Sequence, residues 1–186
     1  MIFLTRQTQE RADAAAAAKT GGILEHQHER QTGQRSHALD LCQPCYFRIT
    51  LFDEFLQEIG SIKKVKQKIQ FTHEGIECTV MTDKFLLKNI LTNLLSNAIE
   101  YSPHDAEIQL SAELKKDTLK IKVTDQGIGI PENEQHQIFK RFYRGQNANN
   151  VEGTGLGLNI AKKYIRLLKG SIEFTSQLNK GTTFIA

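Results

Sequence analysis

Asn93 and Asn97 stand four residues apart in the stretch Asn89-Ile-Leu-Thr-Asn93-Leu-Leu-Ser-Asn97-Ala-Ile-Glu-Tyr101-Ser-Pro103. On a helix that spacing puts both amides on one face, one turn apart. Asn is a mediocre helix former because its amide competes for backbone hydrogen bonds, so two of them beside a Leu/Ile stripe suggest a polar task. Solvated positions or a local cap would explain them as well. Downstream, Asp125-Gln-Gly127-Ile-Gly129-Ile130-Pro131 follows an alternating segment. The glycines permit positive φ and close approach of a ligand, and Asp125 offers a carboxylate acceptor suited to an amine such as the exocyclic one of adenine. A glycine turn with an Asp cap is the plain alternative. Glu152-Gly153-Thr154-Gly155-Leu156-Gly157-Leu158 precedes a helical pattern, so its free N–H groups and the positive end of the helix dipole would suit phosphate. No Gly-Lys-Ser/Thr follows, which excludes a Walker motif. Gly181-Thr182-Thr183-Phe184 adds small hydroxyl residues near the end of the chain.

The surrounding pattern supplies elements to hold these residues. Phe47–Thr50 reads as a short strand, and Phe52, Phe55, Leu56, Ile59 and Ile62 recur at helical spacing. Ile69–Thr72 and Ile76–Val80 alternate as half-buried strands with Glu74-Gly75 as the turn between them. Asp83 can cap the Asn-bearing helix, which runs to about Ile99 and stops before Pro103; Ile90, Leu91, Leu94, Leu95, Ala98 and Ile99 form its apolar stripe. Glu107–Leu114 and Thr118–Thr124 alternate around Lys115-Lys-Asp117 as a hairpin. Pro131 opens a short helix carrying Ile138, Phe139 and Phe142, Leu156–Leu168 is helical, and Ile172–Thr175 with Thr182–Ile185 form a closing strand pair. The expected fold class is α+β, a two-layer sandwich of a mixed, mostly antiparallel sheet packed on helices.

Residues 1–44 differ from the rest. An alanine run, Ala12–Lys19, ends at Gly21-Gly22, and the polar tract His26–His37 lacks apolar periodicity, which reads as a helix and a linker. The domain expectation is therefore 1–44 as an N-terminal appendage and 45–186 as one packed domain. With 39% hydrophobic and 24% charged residues, the composition is that of a soluble globular protein. A net charge of +3 with dispersed lysines does not argue for nucleic acid. No apolar run reaches the roughly 18 residues that cross a bilayer, so no membrane contact and a cytoplasmic location are expected for this segment. The three cysteines, Cys42, Cys45 and Cys78, make no disulfide framework, and Cys42-Gln-Pro-Cys45 lacks the further ligands of a zinc site.

Taken in order, Asn93…Asn97, Asp125-x-Gly127-x-Gly129, Phe139-x-x-Phe142, Gly153-Thr-Gly-Leu-Gly157 and Gly181-Thr-Thr-Phe184 resemble the catalytic ATP-binding domain of sensor histidine kinases, in the superfamily of DNA gyrase B, Hsp90 and MutL (the Bergerat fold). The resemblance covers about residues 45–186, and Phe139, Phe142 and Arg144 favour the histidine kinase branch. It implies ATP and Mg2+ as ligands, with Asn97 as the metal ligand and Asn93 beside it. The implied catalytic group is Asn93, Asn97 and Arg144, the last as a phosphate contact. The implied nucleotide set adds Tyr101, Asp125, Gly127, Gly129, Ile130, Phe142, Gly153, Thr154, Gly155, Leu156, Gly157, Leu158 and Thr183, with Glu132–Gly155 as a lid. The partners it implies are ATP or ADP, a dimerisation and histidine phosphotransfer domain, and a response regulator.

This sequence departs from the pattern at two places. The family often has Lys or Arg where Glu100 stands, and a carboxylate there would repel phosphate. No His-Glu-Leu-Arg-Thr-Pro phosphoacceptor box is found; Ser36-His37-Ala-Leu39-Asp only echoes it, and His37 lies too near Asn97 to leave room for the hairpin and the leading strands. The chain alone is thus not expected to autophosphorylate, and a non-catalytic nucleotide-binding module is the alternative. A gyrase-like or MutL-like ATPase is disfavoured, because Asn93 occupies the place of its general-base Glu.

Overall fold

The structure is a computed structural model that describes residues 1–3, 45–47, 50–60, 64, 66–74, 80–115, 118–148, 151 and 153–186. The alanine run 12–19, the tract 26–37, Cys42, Cys78 and Glu152 lie outside the described residues.

Helix α1 (Thr50–Gly60) buries Phe52, Phe55 and Ile59, one apolar residue per turn. Helix α2 (Lys84–Tyr101) carries the two asparagines. Asp83 caps it as its sequence position suggests, its Oδ1 accepting from Leu86 N at 3.0 Å. Eight residues of α2 are buried: Leu86, Leu87, Ile90, Leu91, Leu94, Leu95, Ala98 and Ile99. Each large one contributes about 1.5–3 kcal/mol on leaving water. Four polar side chains of α2 are satisfied within the helix. Asn89 Nδ2, Thr92 Oγ1, Asn93 Nδ2 and Ser96 Oγ each donate to the carbonyl four residues back, at 2.7–2.9 Å.

The main sheet runs β3 (Lys68–Glu74), β5 (Glu107–Lys115), β6 (Thr118–Thr124), β8 (Gly181–Ile185) and β7 (Glu173–Gln177). The hairpin expected at residues 107–124 is present, with Gln109 opposite Thr124 and Lys115 opposite Thr118. On β5 and β6 alternate residues, Ile108, Leu110, Ala112, Leu114, Leu119, Ile121 and Val123, enter the core against α1, α2 and α3 (Gly157–Leu167). The described helices pack on the face that these residues present, as in the expected α+β sandwich.

Two local expectations require correction. The expected strand at residues 76–80 lies outside the described residues except for Val80, and the described partner of β3 is not a following hairpin strand. β3 pairs in parallel with β5, Lys68 opposite Glu107, while β4 (Val80–Thr82) pairs with β2 (Cys45–Phe47). A parallel neighbour needs a long crossover, and α2 supplies it. The expected strand at residues 47–50 ends at Phe47, and Thr50 already begins α1.

The main sheet also recruits the first residues of the chain, which the sequence pattern had placed outside the domain. β1 (Ile2–Phe3) pairs with β6 through Ile2–Leu119 and Phe3–Thr118. β8 occupies the same edge of β6, ending with Ala186 opposite Ile121. Met1 N donates to Ser171 O at 2.8 Å and Ser171 N to Met1 O at 3.0 Å. β1 therefore extends the line of β8, and Ile2 is fully buried.

The carboxyl end of α2 is held by residues no motif would single out. Gln67, 1% exposed, donates from Nε2 to the carbonyls of Ile99 at 3.0 Å and Pro103 at 2.9 Å. Lys64 Nζ donates to Glu100 O at 3.0 Å and Ser102 O at 2.6 Å, a cation at the negative end of the helix dipole. Replacing Gln67 strands these carbonyls in a buried setting. Gln67→Ala is expected to cost about 1–3 kcal/mol in urea unfolding; a loss below about 0.5 kcal/mol would show that the cap is dispensable.

Candidate functional site

The site is built where α2, the β6–Gly loop, β8 and the amino end of α3 meet. Asp125 lies one residue beyond β6 and is buried. Its Oδ1 accepts from Gly127 N at 2.8 Å and Thr182 N at 3.1 Å, while Asp125 N donates to Thr182 O at 2.9 Å. Burial raises the carboxyl pKa, and the two backbone donors oppose that rise without cancelling it. Because both N–H groups use Oδ1, Oδ2 is left for a ligand. The carboxylate lines a cavity that encloses about 640 Å³ with its open mouth included.

The glycines of this loop answer to the backbone. A Cβ on Gly127 would come within 2.6 Å of Tyr101 O, and one on Gly129, at φ +64, would collide with Gln177 O. Gly127 is not among the residues lining the cavity; Gly129 and Ile130 are. The loop seats the end of α2, with Ile128 N donating to Tyr101 O at 3.2 Å. Tyr101 itself lines the cavity, and burial first and Glu100 second raise its phenol pKa.

Over the cavity lies a short 3-10 turn, Glu132–Gln137, opened by Pro131. Ile138 follows as its cap, and Phe139 and Phe142 come after it instead of continuing a helix. Glu134 is buried and accepts from Tyr143 Oη at 2.8 Å and Gln146 N at 3.2 Å. Asn147 Nδ2 donates to Gly129 O at 2.9 Å, tying this segment to the Gly loop. Phe142 has φ +61 and a side chain 72% exposed, outside the cavity. Gly155, at φ +68, packs under it, where a Cβ would lie 2.7 Å from Phe142 C.

A second concavity, a groove, runs between α2 and the residues leading into α3. Asn93, Asn97 and Glu100 form one wall, and Gly153, Thr154, Gly155, Leu156, Gly157 and Leu158 the other. Leu156 gives α3 no side-chain cap, so its first N–H groups lack that partner. Asn93 Oδ1 faces Gly157, where a Cβ would approach it to 3.0 Å. Asn97 lines both concavities, and its Nδ2 is buried without a partner. An orphaned polar group at such a junction suits a ligand or a metal, and which amide atom faces it is interchangeable.

Two expected site residues are placed elsewhere. Thr183 is turned away from the cavity, its hydroxyl 3.1 Å from that of Thr124, and Thr182 is the strand residue that lines it. Arg144 lines the cavity and not the groove; its guanidinium donates to the carbonyls of Ala148, at 3.1 Å, and Val151. Glu134, Tyr143, Asn147 and Thr182 were not among the sequence candidates. Of these, only Thr182 carried a signal: β pairing with the Asp125 segment selects one of two adjacent threonines.

The profile of the family described as "Histidine kinase-, DNA gyrase B-, and HSP90-like ATPase" matches residues 82–186, from the strand before α2 to Ala186. The chain belongs to this family. Its branch is that of the sensor histidine kinases: the Staphylococcus aureus signal transduction histidine-protein kinase ArlS is 38% identical over 138 residues, covering 71% of this chain and 30% of ArlS. The mycobacterial sensor histidine kinase MprB superposes with a TM-score of 0.64 at 25% identity, covering 77% of this chain and 95% of that one. The catalytic domain of histidine kinase ThkA, in a nucleotide-free form, gives 0.62 at 26% identity over 77% and 93%. The fold is therefore the Bergerat ATP-binding fold of histidine kinase catalytic domains. The chain spans 30% of the length of the curated relative it matches. Among the described residues no helix is long and apolar enough to cross a membrane.

The two tight glycines give a stability test for this geometry. Gly129→Ala combines a positive φ with a backbone collision and is expected to cost at least about 2 kcal/mol. Asp125→Asn keeps an oxygen for the two N–H donors and removes a buried charge. A carboxyl whose pKa is raised by folding contributes stability that is present at low pH and lost as pH rises through its folded pKa. The Asn variant is therefore expected to match or exceed the parent in stability at pH 7, and a deficit above about 1 kcal/mol would contradict this balance.

Proposed function

We propose that this chain is the nucleotide-binding catalytic portion of a two-component sensor histidine kinase, binding Mg-ATP and passing the γ-phosphoryl to a histidine on a dimerisation domain. The observation that carries the reading is the Asp125 carboxylate: buried, locked by two backbone donors, and with one oxygen free at a cavity. In this reading Asp125 accepts from the adenine amine, Ile130 and Leu158 pack beside the base, and Tyr101 borders the nucleotide. The uncapped start of α3 and the Gly153–Leu158 backbone receive phosphate oxygens through N–H donors. Residues 45–186, with the strand Ile2–Phe3 added, form the nucleotide domain. Its downstream partner in the family is a response regulator.

The residues of the groove also fit a hard cation. Asn97, whose buried amide lacks a partner, would be its ligand through Oδ1, with Asn93 Oδ1 adjacent. Bound there with nucleotide, Mg2+ would neutralise phosphate charge. The chain's own contribution is positional. Asp125 fixes the base, α2 and the start of α3 fix the phosphates, and the turn over the cavity excludes water. Asn93, where a hydrolase of this superfamily has its base, offers no general base for water, which favours transfer over hydrolysis.

Calorimetric titration with a non-hydrolysable ATP analogue and Mg2+ tests the proposal, and no binding at millimolar nucleotide would sink it. Asn97→Ala is expected to lose the Mg2+-dependent part of the affinity, about tenfold or more. Asp125→Asn is expected to lose the preference for ATP over GTP, and a retained preference would remove the adenine role from Asp125. A second reading, a nucleotide-binding module without transfer, is favoured by Glu100 in the groove. Mixing the chain with a separately made histidine phosphotransfer domain and γ-labelled ATP separates the two: label on histidine supports the kinase, and none supports the module.

A further inference from the structure

The groove opposite the glycine run has an unusual charge balance for a place that holds phosphates. Asn93, Asn97 and Glu100, at positions 0, +4 and +7 along α2, share one face and line the groove together. Among its described lining residues there is no Lys or Arg, and Glu100 is the one charged side chain. In the described contacts neither Lys64 nor Arg144 bonds the Glu100 carboxylate, although Lys64 acts on it through space. Lys64 Nζ is held by the carbonyls of Glu100 and Ser102, and the Arg144 guanidinium by those of Ala148 and Val151. No described ion pair involves the Glu100 carboxylate. Partial burial raises its pKa, with Lys64 drawing it back down. To an anion the groove thus offers neutral donors, backbone N–H groups and the unpartnered Asn97 Nδ2 among them, and no described cationic side chain, while an ionised Glu100 repels it.

Three oxygen donors on one helix face, two amide and one carboxylate, are by contrast what a hard divalent cation selects. We infer that Glu100 is a specificity-determining residue of the groove, admitting a nucleoside polyphosphate only as its divalent-cation complex and rejecting the metal-free form. The inference rests on the nucleotide reading of the site. The carboxylate, one turn beyond Asn97 along α2, adds charge on the cation's side and sets a repulsion that grows with each phosphate. Adenosine, which leaves the groove empty, is indifferent to it. Because Glu100 is open to solvent on one side, salt weakens the effect.

The test is a set of equilibrium titrations of adenosine, ADP and ATP, each with excess EDTA and with Mg2+, on the parent chain, Glu100→Gln and Glu100→Lys. Adenosine is expected to bind all three proteins alike, which also reports that the variants are folded. Metal-free ATP is expected to bind Glu100→Gln about tenfold more tightly than the parent and Glu100→Lys more tightly still, with smaller gains for ADP. Mg-ATP is expected to bind Glu100→Gln more weakly than the parent, so the stimulation by Mg2+ collapses. Unchanged metal-free ATP affinity in both variants, with adenosine still bound, overturns the role of Glu100 and leaves the nucleotide reading standing. Failure of the parent to bind adenosine, ADP or ATP removes that reading and this inference with it.

Discussion

One carboxylate oxygen organises the core of the site. Asp125 Oδ1 accepts from Gly127 N and from Thr182 N, so it fixes the turn that follows β6 and joins that turn to β8. Gly181, at φ +110, has no room for a side chain against the Asp125 carbonyl. The turn in turn carries Gly127 and Ile128 beneath the last carbonyl of α2 and Gly129 against the β7–β8 connection. The strands, the loop and the end of the helix thus meet around a buried group that burial itself destabilises as an anion. That cost is tolerated where a ligand donor can offset it, and it is the strongest structural reason to place a base-recognition role at Asp125.

Helix α2 solves a second constraint, serving two surfaces at once. Its Leu and Ile residues anchor it in the sheet core while Asn93, Asn97 and Glu100 face the groove. The Asn93 amide is already half committed, since its Nδ2 bonds Asn89 O and leaves Oδ1 toward Gly157. The carboxyl end of the helix is capped from outside, by Gln67 and Lys64. Positioning of the groove therefore depends on a side chain in the link to β3, far from any motif.

Much of this was legible in the sequence. The α2 stripe, the Asp83 cap, the hairpin at residues 107–124, the strand pair at the end and the α+β class followed from period and punctuation, because each is local. The parallel β3–β5 pairing was not legible, since alternation specifies a face and not a partner. β1 escaped because two residues carry no period, and only the vacant edge of β6 gives Ile2 a buried place. The five segments that carry the resemblance named the family. The roles of the glycines were less readable: Gly127, Gly129 and Gly155 are required by approaching backbone, which no sequence pattern distinguishes from a ligand's approach. Thr182 against Thr183 is a matter of strand register. Arg144 reads as a phosphate contact by its type, but the carbonyls of Ala148 and Val151 hold it at the cavity.

The account's central claim is that one nucleotide bridges the Asp125 cavity and the groove before α3. Titrating 15N-labelled protein with ADP and Mg2+ while following backbone amide resonances tests it directly. The claim predicts that Gly127 and Thr182, the two donors to Asp125, shift together with Gly155, Gly157 and Leu158, saturating along one binding curve. Shifts confined to a different surface, or none at millimolar ADP, would contradict it.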